Sequence, residues 1–452
     1  WPCPNASRGA PPKLGREHLA VTETYLILAA VFIVIGAASL IFKKRTGYMP
    51  VIILGAALLA SLIGGMGFRF REIVEGSFAY LDNVMWVLCG GLLTALLYQN
   101  GTFSYMLDSW MRKERSPFVR MTGLLLLVGI PGMLTGSALA SVASTGVIAG
   151  KYLMRRGLTK VEAVEIVAGG SFLGMILPPL CTPAMLMIIG RAESYNPSFE
   201  GYFLPLLALG LPALLIYAAI SGKRLLGKLS ADNIATEPQG SAACMIPLVV
   251  VFLLVISHNF LYSFMPFLGY PLIYIIGFVL ALIFPNKRIN PVDSLLKGIE
   301  LVMIPASLMF AVGSLNEVMW MTGVNGNLNT LLLETSSVLL FVVPVLLLLV
   351  SGRLLGQPFA WALCAIIPAI LNGSGFAHSP LRLLAASAIL GVAAYRSFGV
   401  GNSIFAQSAH ELDPENTVAV SVPMHACVPV IIVLVLALGM GFAASSLSWL
   451  MV

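Results

Sequence analysis

Twelve apolar stretches, most of them close to 20 residues long, dominate this sequence. A helix needs about 20 consecutive apolar residues to cross a bilayer, whereas the strands of a membrane barrel alternate apolar and polar residues. The sequence therefore predicts an all-α polytopic membrane protein. The stretches lie at 24–43, 48–67, 83–105, 121–150, 161–190, 201–221, 243–263, 268–285, 299–321, 335–371, 382–409 and 418–447.

The low charge content supports the same class. Only 10% of the 452 residues are charged and 58% are hydrophobic, whereas soluble domains have about 25% charged and 45–50% apolar residues. Such a composition excludes a soluble enzyme and a nucleic-acid-binding protein. Residues 1–20 lack the apolar core of a signal peptide and are interpreted as a disordered leader or a mis-assigned start.

Basic loops predict the orientation of the crossings, because lysine and arginine collect on the cytoplasmic side. With the N-terminus outside, about ten crossings place every basic cluster in the cytoplasm. The clusters lie at 43–45, 112–115, 223–228 and 287–288. The resulting divisions are a first transmembrane repeat at 21–221, a cytoplasmic linker at 222–242 and a second repeat at 243–452.

The stretch 121–150 has basic residues on both flanks, so both of its ends are expected in the cytoplasm. Thirty residues at 1.5 Å each are too few for two full crossings, which favours a re-entrant hairpin with its tip near 132–140. Irregular backbone at membrane depth must be buried in protein or line a wet cavity, so the tip is a candidate site. Its candidate residues are Gly136, Ser137 and Ser141. Close helix packing through small residues is the alternative.

The stretch 161–190 contains two consecutive prolines, which remove two backbone donors and predict a helix break at 177–182. Carbonyl groups freed there can coordinate a sodium ion, and half-helix N-termini suit an anionic substrate. A simple proline kink is the alternative. The candidate residues are Gly170, Ser171, Gly174, Pro178, Pro179 and Thr182, with sodium expected near Ser137 and Leu177.

A weak internal repeat relates the two halves. The pattern G-x-L-x-G-x-x-x-A occurs at 132–140 and again at 352–360. The flanks of 335–371 carry no lysine, so this second re-entrant hairpin is predicted to open outward. Two inverted-topology repeats with paired broken helices are typical of secondary transporters.

Two arginines interrupt the apolar stretches of the second half, Arg353 in the second hairpin tip and Arg396 in the second broken helix. A charge in the membrane is costly unless it is paired or hydrated, and a planar guanidinium suits a carboxylate. A snorkelling arginine, or an ion pair with a residue such as Glu317, is the alternative. The other candidates of this half are Gly356, Gly399, Asn402 and Ser403.

The segments LTGSALASVAS, MRRG and AGGSFLGMILPP resemble the large membrane subunit of TRAP (tripartite ATP-independent periplasmic) transporters. The residues that match the family's tip and break are Gly136, Ser137, Ala140, Ala143, Gly174, Ile176, Pro178 and Pro179. The second half departs from the family pattern. Gly356 replaces a usual acidic residue, and AAYRSFGVGNSIFAQ replaces the second Pro-Pro break.

The resemblance implies a secondary transporter of the bacterial inner membrane that moves a small organic anion, with Na⁺ as coupling ion and no other cofactor. An elevator or rocking motion, a small membrane subunit and a periplasmic binding protein are implied as well. A stand-alone symporter or Na⁺/H⁺-type exchanger of the same superfamily is the alternative. An intramembrane hydrolase using Ser137 or Ser403 is disfavoured, because neither serine has a histidine within one helical turn. No enzyme activity is expected.

Overall fold

The computed structural model describes residues 14–41, 48–113, 115–188, 202–225, 227, 240–260, 268–287, 289–333, 404–414 and 427–443. Within these ranges the secondary structure is helical and contains no strand. Five of the described helices are long and apolar enough to cross a membrane, and four shorter apolar helices accompany them. The prediction of an all-α polytopic membrane protein is confirmed.

The helices follow one another in two series. Those of the first half are α1 (Leu14–Ile41), α2 (Met49–Ile63), α3 (Phe70–Phe78), α4 (Leu81–Gln99), α5 (Thr102–Arg112), α6 (Pro117–Thr135), α7 (Ala138–Ser141), α8 (Val147–Arg155), α9 (Lys160–Ile176), α10 (Thr182–Ile188) and α11 (Phe203–Leu225). A π-helical turn, Val142–Gly146, joins α7 to α8. Those described in the second half are α12 (Ile246–Phe260), α13 (Tyr270–Ile283), α14 (Pro291–Met321), α15 (Val324–Leu333), α16 (Ile404–Leu412) and α17 (Val428–Ala443).

Local sequence explains several helix ends. Ser116 caps α6 by accepting a hydrogen bond from the Val119 amide, and Thr159 with Glu162 forms a capping box at the start of α9. The predicted apolar stretch 83–105 is not one continuous helix, because the chain turns at Gly101, which has φ +83°. Glycine tolerates this left-handed backbone, so the chain turns there and divides the stretch between α4 and α5.

The described helices pack in two groups. In the first, called the α14 group, α2, α3 and α4 pack against α14, and α1, α12, α13 and α15 complete the outer side. In the second, called the hairpin group, α6, α8, α11 and α16 pack against α9, and α17 packs against α11. Helices α4 and α6 touch across the boundary, because a Cβ at Gly90 would lie only 1.9 Å from the Leu134 carbonyl oxygen.

The first hairpin is longer than the sequence predicted. Its arms run from Pro117 to Arg155, outside the expected 121–150, because Arg120, Lys151 and Arg155 continue the helices beyond the apolar part. The 19 residues of α6 span about 28 Å at 1.5 Å per residue. Length alone therefore does not restrict this arm to a partial entry, and the re-entrant course of the hairpin stays a prediction.

Two predicted boundaries also shift. Helix α1 begins at Leu14, so the end of the segment 1–20 is helical rather than a disordered leader. Helix α11 continues to Leu225, inside the predicted linker 222–242, where Arg224 is held by an ion pair with Glu165. The second hairpin, 335–371, lies outside the described residues.

Glycine contacts hold α6 against α9 and predict a stability effect. A Cβ at Gly174 would lie 2.3 Å from Gly129 Cα and 2.4 Å from its carbonyl oxygen. We expect Gly174→Ala to destabilise the protein by about 1–3 kcal/mol, as overpacked cores do. The control is Gly55→Ala in α2, where nothing lies within 4 Å of the added Cβ and a gain of up to about 1 kcal/mol is expected. Thermal melts of the purified variants measure both, and equal shifts would contradict the prediction.

Candidate functional site

The first hairpin tip and the helix break lie directly against each other. The Leu180 amide donates to the Met133 carbonyl at 3.1 Å, and the Thr182 amide donates to the Gly136 carbonyl at 3.3 Å. Both bonds join the tip region of the hairpin to the break. The sequence predicted the two elements separately, and the fold brings them together as one site.

The tip is a left-handed turn that only glycine fits. Gly136 ends α6 with φ +66°, and a Cβ there would lie 2.7 Å from both the amide nitrogen and Oγ1 of Thr182. The Ser137 amide donates to Thr135 Oγ1 at 3.2 Å, and the Ser137 side chain is buried. Ser141 Oγ accepts a hydrogen bond of 2.6 Å from the Gly132 amide and so joins the two arms of the hairpin.

The break leaves backbone carbonyl groups without helical partners. Helix α9 ends at Ile176 and the Pro178–Pro179 peptide bond is cis. The carbonyls of Gly174 and Met175 have prolines at the position four residues on, and proline has no amide proton. The Ile176 carbonyl would bond to the Leu180 amide, which instead donates to the hairpin.

Two hydroxyl groups, one on α9 five residues before its end and one at the start of α10, are buried without a hydrogen-bond partner. Ser171 is 0% exposed and Thr182 is 2% exposed, and neither side-chain oxygen is satisfied in the structure. Buried polar atoms nearly always have a partner, so such exceptions indicate a missing ligand or water. Together with the freed carbonyls, they supply oxygen atoms of the kind that coordinate sodium in broken helices.

The other first-half candidates serve packing. Gly174 faces Gly129, and a Cβ at Gly170 would lie 3.0 Å from the side chain of Val128 on α6. These contacts place α9 close enough to α6 for the tip to reach the break. The second-half candidates lie outside the described residues: Arg353, Gly356, Arg396, Gly399, Asn402 and Ser403.

Sequence reasoning missed an ion pair between a buried glutamate of the broken helix and a half-buried arginine. Glu165 of α9 is 3% exposed and pairs with Arg224 of α11, while the Tyr217 hydroxyl donates to the Glu165 carbonyl at 3.2 Å. A charge inside an apolar stretch is a functional candidate by default. That rule, applied to 161–190, would have identified Glu165. The pair ties α9 to α11, so the two helices are held as a unit.

A second missed feature is a cavity of about 800 Å³ between the two helix groups. Helices α4 and α14 form one wall, and the return arm of the hairpin with α16 forms the other. The C-terminal end of α16 is anchored beside the start of α9, where Lys160 Nζ lies 2.9 Å from Asp413 Oδ2. The ionisable lining residues are Lys151, Lys297, Glu300, His410 and Glu411.

A hairpin tip set against a broken helix, in one of two helix groups with a cavity between them, is the architecture of a secondary transporter. Residues 125–444 match the family described as tripartite ATP-independent periplasmic transporter, DctM component. Because the match covers more than half of the chain and includes both the tip and the break, this protein belongs to that family. Its members are transporters and not enzymes, and the chain is accordingly a multi-pass secondary transporter.

The fold is also similar to that of the YdaH transporter of Alcanivorax borkumensis, whose crystal structure was described as having an unusual topology. The TM-score is 0.53 with 15% sequence identity, over 90% of this chain and 98% of that one. At this identity the likeness concerns the fold alone. None of the curated proteins matches this chain.

Proposed function

We propose that this protein is the permease of a sodium-coupled transporter for a small organic anion, a carboxylate. The observation that carries the proposal is the junction of tip and break, where Thr182 meets Gly136. In this proposal the ion is bound by the carbonyls freed at 174–176 and the hydroxyls of Ser171 and Thr182. The hairpin tip covers it, and we place this junction within the membrane as a re-entrant structure.

The proposed substrate is an anion because two arginines, Arg353 and Arg396, interrupt predicted apolar stretches of the sequence. A guanidinium binds a carboxylate through two parallel hydrogen bonds. Arg396 is the preferred ligand of the two. It lies at a glycine-rich interruption that corresponds, under the internal repeat, to the Pro-Pro break of the first half.

We further propose alternating access by movement of the hairpin group against the α14 group, as an elevator or by rocking. The ion pair between Glu165 and Arg224 supports such a motion, because it lets α9 and α11 move together. The tripartite family name supports two partners, a small membrane subunit and a periplasmic binding protein. A transporter of this type belongs in the bacterial inner membrane.

Thermal melts of the purified chain test the ion and the substrate without any partner, because a ligand that binds only the folded state stabilises it. We expect NaCl to raise the melting temperature relative to KCl at equal ionic strength. At sodium about 100-fold above its dissociation constant, the stabilisation is about 2.7 kcal/mol. With sodium present, one class in a panel of organic acids should raise the melting temperature further.

Thr182→Val tests the location of the ion, since it keeps the side-chain shape and removes the hydroxyl. The sodium-dependent shift should fall in this variant and persist in the control Thr122→Val, whose hydroxyl bonds to the Phe118 carbonyl on α6. An equal sodium shift in both variants would move the ion away from the break. An identical melt in NaCl and KCl for the unmodified chain would overturn sodium coupling.

A further inference from the structure

The cavity between the helix groups has two charged walls, each carrying both signs. Lys297 and Glu300 lie three residues apart on α14 and therefore share one helix face. Across the cavity, Lys151 extends from α8, and His410 and Glu411 extend from the end of α16. All five side chains are exposed.

The charges of the two walls are held apart in this conformation. Among the described residues, no ion pair joins Lys297 or Glu300 to Lys151 or Glu411. Lys297 Nζ instead lies 6.0 Å from the centre of the Tyr98 ring, which belongs to the cavity lining as well. The four charges are therefore solvated by the water that an open cavity of this size admits.

Closing the cavity would remove that water, and an unpaired charge that loses its water is strongly disfavoured. Closure without this cost requires each charge to gain a partner of opposite sign. The pairs that can form across the cavity are Lys297 with Glu411 and Glu300 with Lys151. The basic loops place this end of the hairpin at the cytoplasmic side.

We infer that these charged residues form the inner gate of the transporter, with Lys297–Glu411 and Glu300–Lys151 as the pairs that close it. The inference rests on the alternating access of the proposed function, but not on the identity of the ion or the substrate. Formation of the two pairs favours one alignment of the two walls in the closed state. In the open cavity seen here both pairs are broken.

A charge-reversal cycle tests the gate. The reporter is Ala143→Cys, since Ala143 lines the cavity, in a chain whose six native cysteines are replaced. We expect Lys297→Glu and Glu411→Lys each to raise the rate of maleimide labelling by about two- to fivefold, the range of one solvent-exposed ion pair. The double variant should return to the rate of the unreversed chain, because it restores the pair with opposite polarity.

Lys287→Glu is the matched control, because Lys287 is an exposed cation on the connection between α13 and α14 and does not line the cavity. It should leave the labelling rate unchanged.

The proposed gate is overturned if the single reversals behave like this control, or if the double variant shows the product of the two single effects. Labelling needs neither sodium nor an organic acid. Rescue in the double variant with no sodium shift in the melts would refute the proposed ion and leave the gate standing.

Discussion

Gly136→Ala is expected to lower the sodium-dependent stabilisation and to reduce transport by at least about fivefold. The added Cβ would lie 2.7 Å from the Thr182 amide nitrogen, a backbone atom that cannot rotate away, so the tip and the break must separate. Strain of about 1–3 kcal/mol at such a position corresponds to about 5- to 150-fold in ion affinity.

The matched control for this variant is Gly65→Ala. Gly65 has nearly the same φ, +68° against +66°, but nothing lies within 4 Å of its added Cβ. Both variants carry the cost of a left-handed alanine, about 1–2 kcal/mol, and only Gly136→Ala adds the contact with Thr182. Melts in NaCl and KCl separate the two effects. If both variants keep the sodium shift, the junction of tip and break does not bind the ion.

The double variant Pro178→Ala, Pro179→Ala is expected to eliminate transport while the protein still folds and inserts. Alanine supplies the amide protons that the carbonyls of Gly174 and Met175 lack, and it favours a helix by about 3 kcal/mol per position relative to proline. Helix α9 would then continue past Ile176. The Thr182 amide would turn away from the Gly136 carbonyl. The carbonyl oxygens that we propose to bind sodium would instead accept hydrogen bonds from the helix.

Sodium-driven uptake into proteoliposomes and the sodium shift in melts measure this second effect. Pro212→Ala is the control. Pro212 lies inside the helix α11, which continues past it without a break. It should retain uptake close to that of the unmodified chain. Sodium-dependent uptake that survives the double substitution would show that the two prolines only bend the helix.

Several features of the fold were predictable because they depend on local chemistry. Apolar stretches of membrane length predicted the helical class, and the Pro178–Pro179 pair predicted the end of α9 to within one residue. The glycine and serine residues at 132–140 predicted the reversal of the chain. Helix ends were less predictable, since Lys151 and Arg155 extend α8 although they are polar.

What the sequence by itself determined is the class of protein, a hairpin tip within 132–140 and a helix break within 177–182, because each follows from a few neighbouring residues. Only the tertiary structure decided that Thr182 meets Gly136, that Glu165 meets Arg224 and that two charged walls line an open cavity. These contacts join residues 46 to more than 100 positions apart in the chain. Their formation depends on how helices pack, through glycines such as Gly90 and Gly174 that allow close approach, and no local pattern specifies which helices will meet.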